Sequence, residues 1–331
     1  MDRRGFLGTV ALAALAAPRL GEAWPAVTHR VPRVGVLGET NPLAWTVRTP
    51  VVDLECRWAD DQRESLAELA SQLVALEVDA IVAVGAAAAH AAGRRTARVP
   101  IVVVAEGDIG EDAVVARLAG SARNMTWLSV PSEAGMAQQR LSLLSRVVPR
   151  LRRVAVLSNP DTVANVRALA RLSAGALDAG ADVHSMPARV IDDVEHAFVA
   201  MARDGVDGLL VLADTLFAIH AGRLAELAAE AGTPAVYGAR VFVESGGLMA
   251  LHGDIGDTIQ RTAAIVGQIL AGTPPAALLP PPQPKPQIAL NLATAARLGL
   301  GFPPALLAQA VTIDTGLRER EITARLASRD S

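Results

Sequence analysis

A single cysteine, Cys56, stands in a chain of 331 residues. One thiol cannot close an internal disulfide, and a cysteine-rich zinc site is excluded. Aromatic residues make up only 3%, so the cores must be aliphatic, built from Ala, Val and Leu. Excess positive charge is also missing. The formal net charge of -3 is too small and of the wrong sign for phosphate neutralisation, which excludes nucleic acid as a partner. The chain has no GxxxxGK(S/T) loop, no GxGxxG after a strand, no GxSxG and no HExxH. Its six histidines (His29, His90, His184, His196, His220, His252) are scattered, with no pair at ligand spacing. Neither a metal, a cofactor nor a catalytic residue is therefore expected.

What is present begins at the N-terminus. The segment "MDRRGFLGTVALAALAAPRLGEAW" has adjacent Arg3 and Arg4, then an apolar run to Ala17. The run is about a dozen residues, too short to span a hydrocarbon core of roughly 30 Å. A charged start, a short apolar middle and small residues near a cut read as a secretory signal peptide over 1–23, and the arginine pair before "GFL" reads as twin-arginine-like. The expected location is periplasmic. Hydrophobic residues are 51% and charged ones 20%, so cores are affordable in size for about two domains of roughly 150 residues.

After the signal, apolar runs alternate with amphipathic stretches. "RVGVLG" (Arg33–Gly38), "VVDLEC" (Val51–Cys56), "VDAIVAVG" (Val78–Gly85) and "VPIVVVAEG" (Val99–Gly107) read as strands. "RESLAELASQLVALE" (Arg63–Glu77) and "AAAHAAGRR" read as helices. The strands are near-continuous apolar runs, so both faces should be covered, as in a parallel sheet between helices. The pattern then restarts. A helix over Pro131–Pro149 is followed by the strands "RVAVLSN", "ADVHSMPA" (Ala181–Ala188), "VDGLLVLAD" (Val206–Asp214) and "TPAVYG" (Thr233–Gly238). "VDAIVAVG" and "VDGLLVLA" occupy equivalent places. The fold class is thus α/β: two Rossmann-like lobes with parallel sheets and a cleft between their first strand-to-helix corners, "LGETNP" and "LSNPDT". In open α/β sheets, ligands bind outside the carboxyl ends of the strands.

Several stretches together resemble the exported substrate-binding proteins of ABC transporters, of the kind that binds tryptophan and other aromatic amino acids. They are "CRWADDQRESLAELASQLVALEVDAIVAVG", "RVAVLSNPDT", the block from Tyr237 to Met249 ("YGARVFVESGGLM") and "IALNLATAARLGL" (Ile288–Leu300). The resemblance implies a fold of the periplasmic-binding-protein type I kind. It also implies a return to the first lobe after "GGLMALHGD", with the helix around Asp257–Leu270 packed there. The expected lobes are 31–128 plus about 253–275, and 129–252 plus about 276–331. "PPPQPKPQ" (Pro280–Gln287) reads as an extended crossing segment. The family's Gly-Thr-Pro and Asp-Pro corners are replaced here by "GAAAA" (Gly85–Ala89) and "EGDIGE" (Glu106–Glu111). The implied partners are a small-molecule ligand, an amino acid or similar organic anion or zwitterion, and an ABC permease in the membrane, with the protein itself a monomer. Two rival readings are a sensory binding protein that presents ligand to a receptor and an exported α/β enzyme.

The candidate ligand contacts are the residues that follow strands. Gly38, Glu39 and Thr40 follow the first strand, as contacts or as a solvated turn. Trp45 is a stacking lid or a surface side chain. Gly85 and Ala86 open a helix whose N–H groups can seat a carboxylate, or simply pack tightly. Glu106 ends the fourth strand. Ser158 and Asn159 offer a hydroxyl and an amide, Asn159 alternatively forming the turn. Asp214 receives a ligand ammonium or caps the next helix. Tyr237, the only tyrosine, ends a strand, and Arg240 contacts ligand or pairs with Glu244 near the hinge. Trp58 and Trp127 read as core or hinge, and Cys56 as buried and inert.

Overall fold

The structure, a computed structural model, describes residues 30–39, 52–59, 65–106, 123–176, 180–279 and 281–313. The signal segment 1–23, Thr40, Trp45 and the loop 107–111 lie outside the described residues. The first sheet contains β1 (Arg33–Gly38), β2 (Asp53–Trp58), β3 (Ala80–Val84), β4 (Ile101–Glu106) and β5 (Met125–Val130). They lie in the order β2-β1-β3-β4-β5, every pair parallel. The inner strands β1, β3 and β4 bury almost every side chain, which is why their sequences are unbroken apolar runs.

Helices cover both faces of this sheet. On one face lie α1 (Leu66–Ala75) and α2 (Ala86–Arg95). Leu66, Ala70 and Leu73 of α1 form its buried stripe, at the three- and four-residue spacing of one helix face. Leu73 is pressed so close to β1 that a Cβ on Gly35 would stand 3.0 Å from its methyls. Burying one such leucine contributes about 1.5–3 kcal/mol.

The second sheet is built from β6 (Arg153–Ser158), β7 (Asp182–Pro187), β8 (Gly208–Val211), β9 (Ala235–Tyr237), β10 (Met249–His252), β11 (Gln287–Asn291) and β12 (Ala310–Ile313). Its order is β12-β11-β10-β9-β8-β6-β7, with β11 antiparallel to β10 and the other pairs parallel. The five strands β7-β6-β8-β9-β10 repeat the order of the first sheet. β3 and β8, which carry the matching "VDAIVAVG" and "VDGLLVLA" segments, each lie between the first and fourth strands of their sheets. Helices α3 (Glu133–Val147) and α4 (Val163–Ala176) pack on one face, and α5 (Ile191–Asp204), the short α6 (Thr215–Ile219), α7 (Ala221–Glu230) and the short α8 (Arg240–Glu244) on the other.

The chain crosses between the sheets at 131–132, at 253–254 and along 281–286. After the second crossing, α9 (Ile255–Leu270) covers the remaining face of the first sheet. Its Thr262, Ile265, Val266 and Ile269 are buried, the last three against Val34, Val36, Val82 and Val104. The second and third crossings are tied together. Gln287 Nε2 donates to Asp254 Oδ2 at 2.5 Å, and Arg261, paired with Asp257 at 2.6 Å, donates to the Pro282 carbonyl at 3.0 Å.

Local differences from the sequence reading have physical reasons. The second strand begins two residues later than "VVDLEC" suggests, because β2 is an edge strand, half-buried along its length, with no apolar run to mark it. β5, at the other edge, mixes Thr126 and Ser129 with apolar residues and carries no strand signal of its own. Cys56 is half-buried rather than enclosed, because it sits on edge strand β2.

Candidate functional site

Each sheet has its strand order reversed between its first and third strands, so a crevice opens at the carboxyl ends of β1 and β3 in one lobe and β6 and β8 in the other. The ends of the two sheets approach each other. Glu106, closing β4, lies close enough to Glu133, at the start of α3, for that residue's carboxylate and N–H to act on its own carboxyl. The Glu133 carboxylate in turn accepts the Ala213 N–H at 2.9 Å, just past β8.

In the first lobe, Gly38 is fixed by packing. A Cβ there would stand 2.5 Å from the Trp58 ring, the neighbour across the β1–β2 pair. Glu39 is half-buried at the bend that follows. Gly85 holds φ +92°, a conformation that side chains disfavour, and a Cβ there would meet nothing within 4 Å. It is the N-cap of α2 without a side-chain capping bond, so the first N–H groups of α2, from Ala86 onward, are left for a partner outside the helix. Glu106 keeps an exposed surface, yet lost hydration pushes its carboxyl up, and the Glu133 carboxylate adds to the rise. The Glu133 N–H and the Arg167 guanidinium pull the other way.

In the second lobe, Ser158 is buried at the end of β6. Asn159 forms the turn: its Oδ1 accepts the Asp161 N–H at 3.0 Å, and its own N–H donates to Asn165 Oδ1 at 3.0 Å. Asp214 caps α6 by accepting the Leu216 N–H at 2.9 Å, while its second oxygen accepts the Thr162 hydroxyl at 2.6 Å. The Thr162 bond ties together the corners after β6 and β8, which carry Asn159 and Asp214. Tyr237 and Arg240 do not join them. Tyr237 is wholly buried and stacked on Phe242, ring centroids 4.6 Å apart. Along β9 it shares a face with Ala235, so alternation turns it into the helix layer and away from the strand end. Burial raises its phenol, whose oxygen has no hydrogen-bond partner among the described residues. Arg240 is exposed and pairs with Glu244 at 2.9 Å.

Two polar residues of this region carry no signal in the sequence. Glu133 and Arg140 lie seven apart on α3, both buried, and form a two-pronged ion pair beneath the β8 corner. No motif marks them; only the sheet packed over α3 reveals their burial. Among the described residues, no group of three or more His, Cys, Asp or Glu side chains converges as a metal site, and no helix is long and apolar enough to cross a membrane.

Two lobes of matching strand order, joined by three crossings around a crevice, define a binding protein of the periplasmic type I kind. Solved structures agree on that fold. An ABC domain from Streptococcus pneumonia, in complex with L-Trp, superposes with a TM-score of 0.64 at 21% identity, covering 86% of this chain and 100% of that one. A conserved domain protein from Vibrio cholerae O1 biovar El Tor gives 0.64 at 24% identity, covering 86% and 99%. A periplasmic solute binding protein of an ABC transporter from Actinobacillus succinogenes 130z, with bound D-allose, gives 0.57 at 16%, covering 78% and 96%. No curated protein matches the sequence significantly. The family model described as ABC transporter substrate binding protein matches residues 50–313. The chain belongs to that family, whose members are substrate-binding proteins rather than enzymes.

Proposed function

We propose that this protein captures an amino acid, or a similar small organic anion or zwitterion, in the crevice between its lobes and delivers it to an ABC permease. The observation that carries the ligand class is the pairing of two complementary corners. The uncapped N-terminus of α2 behind Gly85 offers N–H groups and the positive end of a helix dipole to a carboxylate. Across the crevice, Asn159 and Asp214 supply an amide and a carboxylate for an ammonium or hydroxyl. Ser158, Glu39 and Glu106 stand at the margins, with Thr40 and Trp45 on the segment that continues from Glu39. Tyr237 supports the second lobe from within, and Arg240 belongs to the Glu244 pair. A ligand touching both corners favours the closed state over the open one. The closing units are 31–128 plus about 253–275 and 129–252 plus about 276–331. The arginine pair Arg3–Arg4 directs export to the periplasm, where the protein acts as a monomer.

Calorimetry with the solute that co-purifies tests the seat. Charge-assisted hydrogen bonds contribute roughly 1.5–3 kcal/mol each. Asp214→Asn and Asn159→Ala are each expected to weaken binding about 10- to 150-fold. If both variants bind like wild type, the second-lobe corner is not the seat. If only Asp214→Asn binds normally, the ligand lacks an ammonium and an organic acid replaces the amino acid in the proposal.

A further inference from the structure

The buried Glu133–Arg140 pair is one part of a longer chain of bonds. Arg140 Nε donates to the Leu251 carbonyl at 2.8 Å, one residue before the chain leaves β10 for the second crossing. Its other two guanidinium nitrogens grip the Glu133 carboxylate. Glu133 opens α3, directly after the first crossing, and its Oε1 also accepts the Ala213 N–H. The Ala213 carbonyl then accepts Asn165 Nδ2 at 2.9 Å, and Asn165 Oδ1 accepts the Asn159 N–H at 3.0 Å. Arg140 and Asn165 are both wholly buried. Ala213 is held from the far side as well, since a Cβ on Gly238 would stand 2.7 Å from its nitrogen.

A continuous polar path thus runs from both nearby crossings to both second-lobe corners. We propose that Glu133, Arg140 and Asn165 are positioning residues: they set the Asn159 and Asp214 corners relative to the hinge. Their function rests on the reading of those corners as the ligand seat. Buried ion pairs contribute little net stability, because desolvation offsets attraction, and apolar residues of similar volume stabilise as well or better. What a guanidinium fork and an amide supply, and apolar residues cannot, is fixed direction. Here every prong ends on the main chain or the carboxylate at a place where the fold must either bend or grip. Displacing the hinge strand shifts Arg140, hence Glu133, hence the Ala213 peptide that precedes the Asp214 cap.

Hydrogen exchange on the full chain, read by mass spectrometry without any ligand, separates this claim from the proposed function. Two variants cut the path at different places: the apolar double substitution Glu133→Leu with Arg140→Met, and Asn165→Leu. The double variant is expected to speed exchange roughly tenfold, about one lost hydrogen bond, in peptides covering 252–254, 212–216 and 158–162. Asn165→Leu should speed exchange at 158–162 and 212–216 and leave 252–254 as in wild type. Peptides from the inner strands β6 and β8 should be unchanged in both. Equal acceleration across the whole second lobe would reduce these residues to general stabilisers and overturn the proposal. Unchanged exchange at the two corners would overturn it as well. If the double variant does not fold, the Asn165→Leu pattern alone decides: acceleration confined to the two corners supports the path, and any other pattern refutes it.

Discussion

Replacing Arg140 by methionine probes the most buried charge among the described residues. The guanidinium is wholly enclosed and makes three hydrogen bonds, one to the Leu251 carbonyl and two to Glu133. Methionine fills much of the volume, so the loss is electrostatic. The substitution leaves the Glu133 carboxylate buried with the Ala213 N–H as its remaining strong donor. Breaking a buried pair by removing one partner costs about 3–5 kcal/mol. Replacing Glu133 as well removes the stranded charge, so the double apolar variant should recover most of that loss. Urea denaturation followed by circular dichroism gives the midpoints of wild type, Arg140→Met and the double variant. A large downward shift is expected for the single variant and a smaller one for the double. A single variant within about 1 kcal/mol of wild type, or a double variant worse than the single, would refute the picture of a desolvated, mutually dependent pair.

Three further outcomes follow from individual residues. Gly85→Ala should cost about 1–3 kcal/mol through backbone conformation alone, since φ is +92° and a Cβ there meets nothing within 4 Å; an unchanged melting temperature would contradict that strain. The Glu106 carboxyl is raised above its unfolded value, so the folded state holds its proton more tightly. Its contribution is present at pH below the unfolded value and is lost as pH rises through the folded one. Glu106→Gln should therefore flatten the decline of melting temperature across that window, between the unfolded and the folded value, and identical pH profiles would remove the effect. Burial raises the Cys56 thiol, so native labelling at neutral pH should be slower than labelling of the denatured chain, and should quicken as pH rises; equal native and denatured rates would place Cys56 in open solvent.

The legibility of this protein in its sequence follows burial. β1, β3, β4, β6 and β8 sit inside their sheets, so both faces demand apolar residues and the runs stand out. The repeat of "RVGVL" and "RVAVL" as the leading strands of two equal-order sheets could be read for the same reason. Edge strands obey a weaker rule. β2, β5 and β12 are partly exposed, tolerate Asp53, Ser129 and Thr312, and lose the pattern. At the site, strand ends told where loops fall but not which way side chains turn. Asn159 and Asp214 came together through Thr162, a contact 52 residues apart in sequence. Tyr237 also ends a strand, yet alternation sends it into the core. Glu133 and Arg140 were invisible because a charged pair on a helix ordinarily reads as solvated surface, and only tertiary packing makes it interior.

The central claim is solute capture between two lobes, and native mass spectrometry of the protein purified gently from its host tests it most directly. The account predicts a one-to-one adduct whose released small molecule carries a carboxylate, survives incubation chemically unchanged, and is lost when the lobes are unfolded. A protein that emerges empty and gains no adduct from a panel of amino acids and small organic acids, or one that converts the bound molecule into a product, would contradict it.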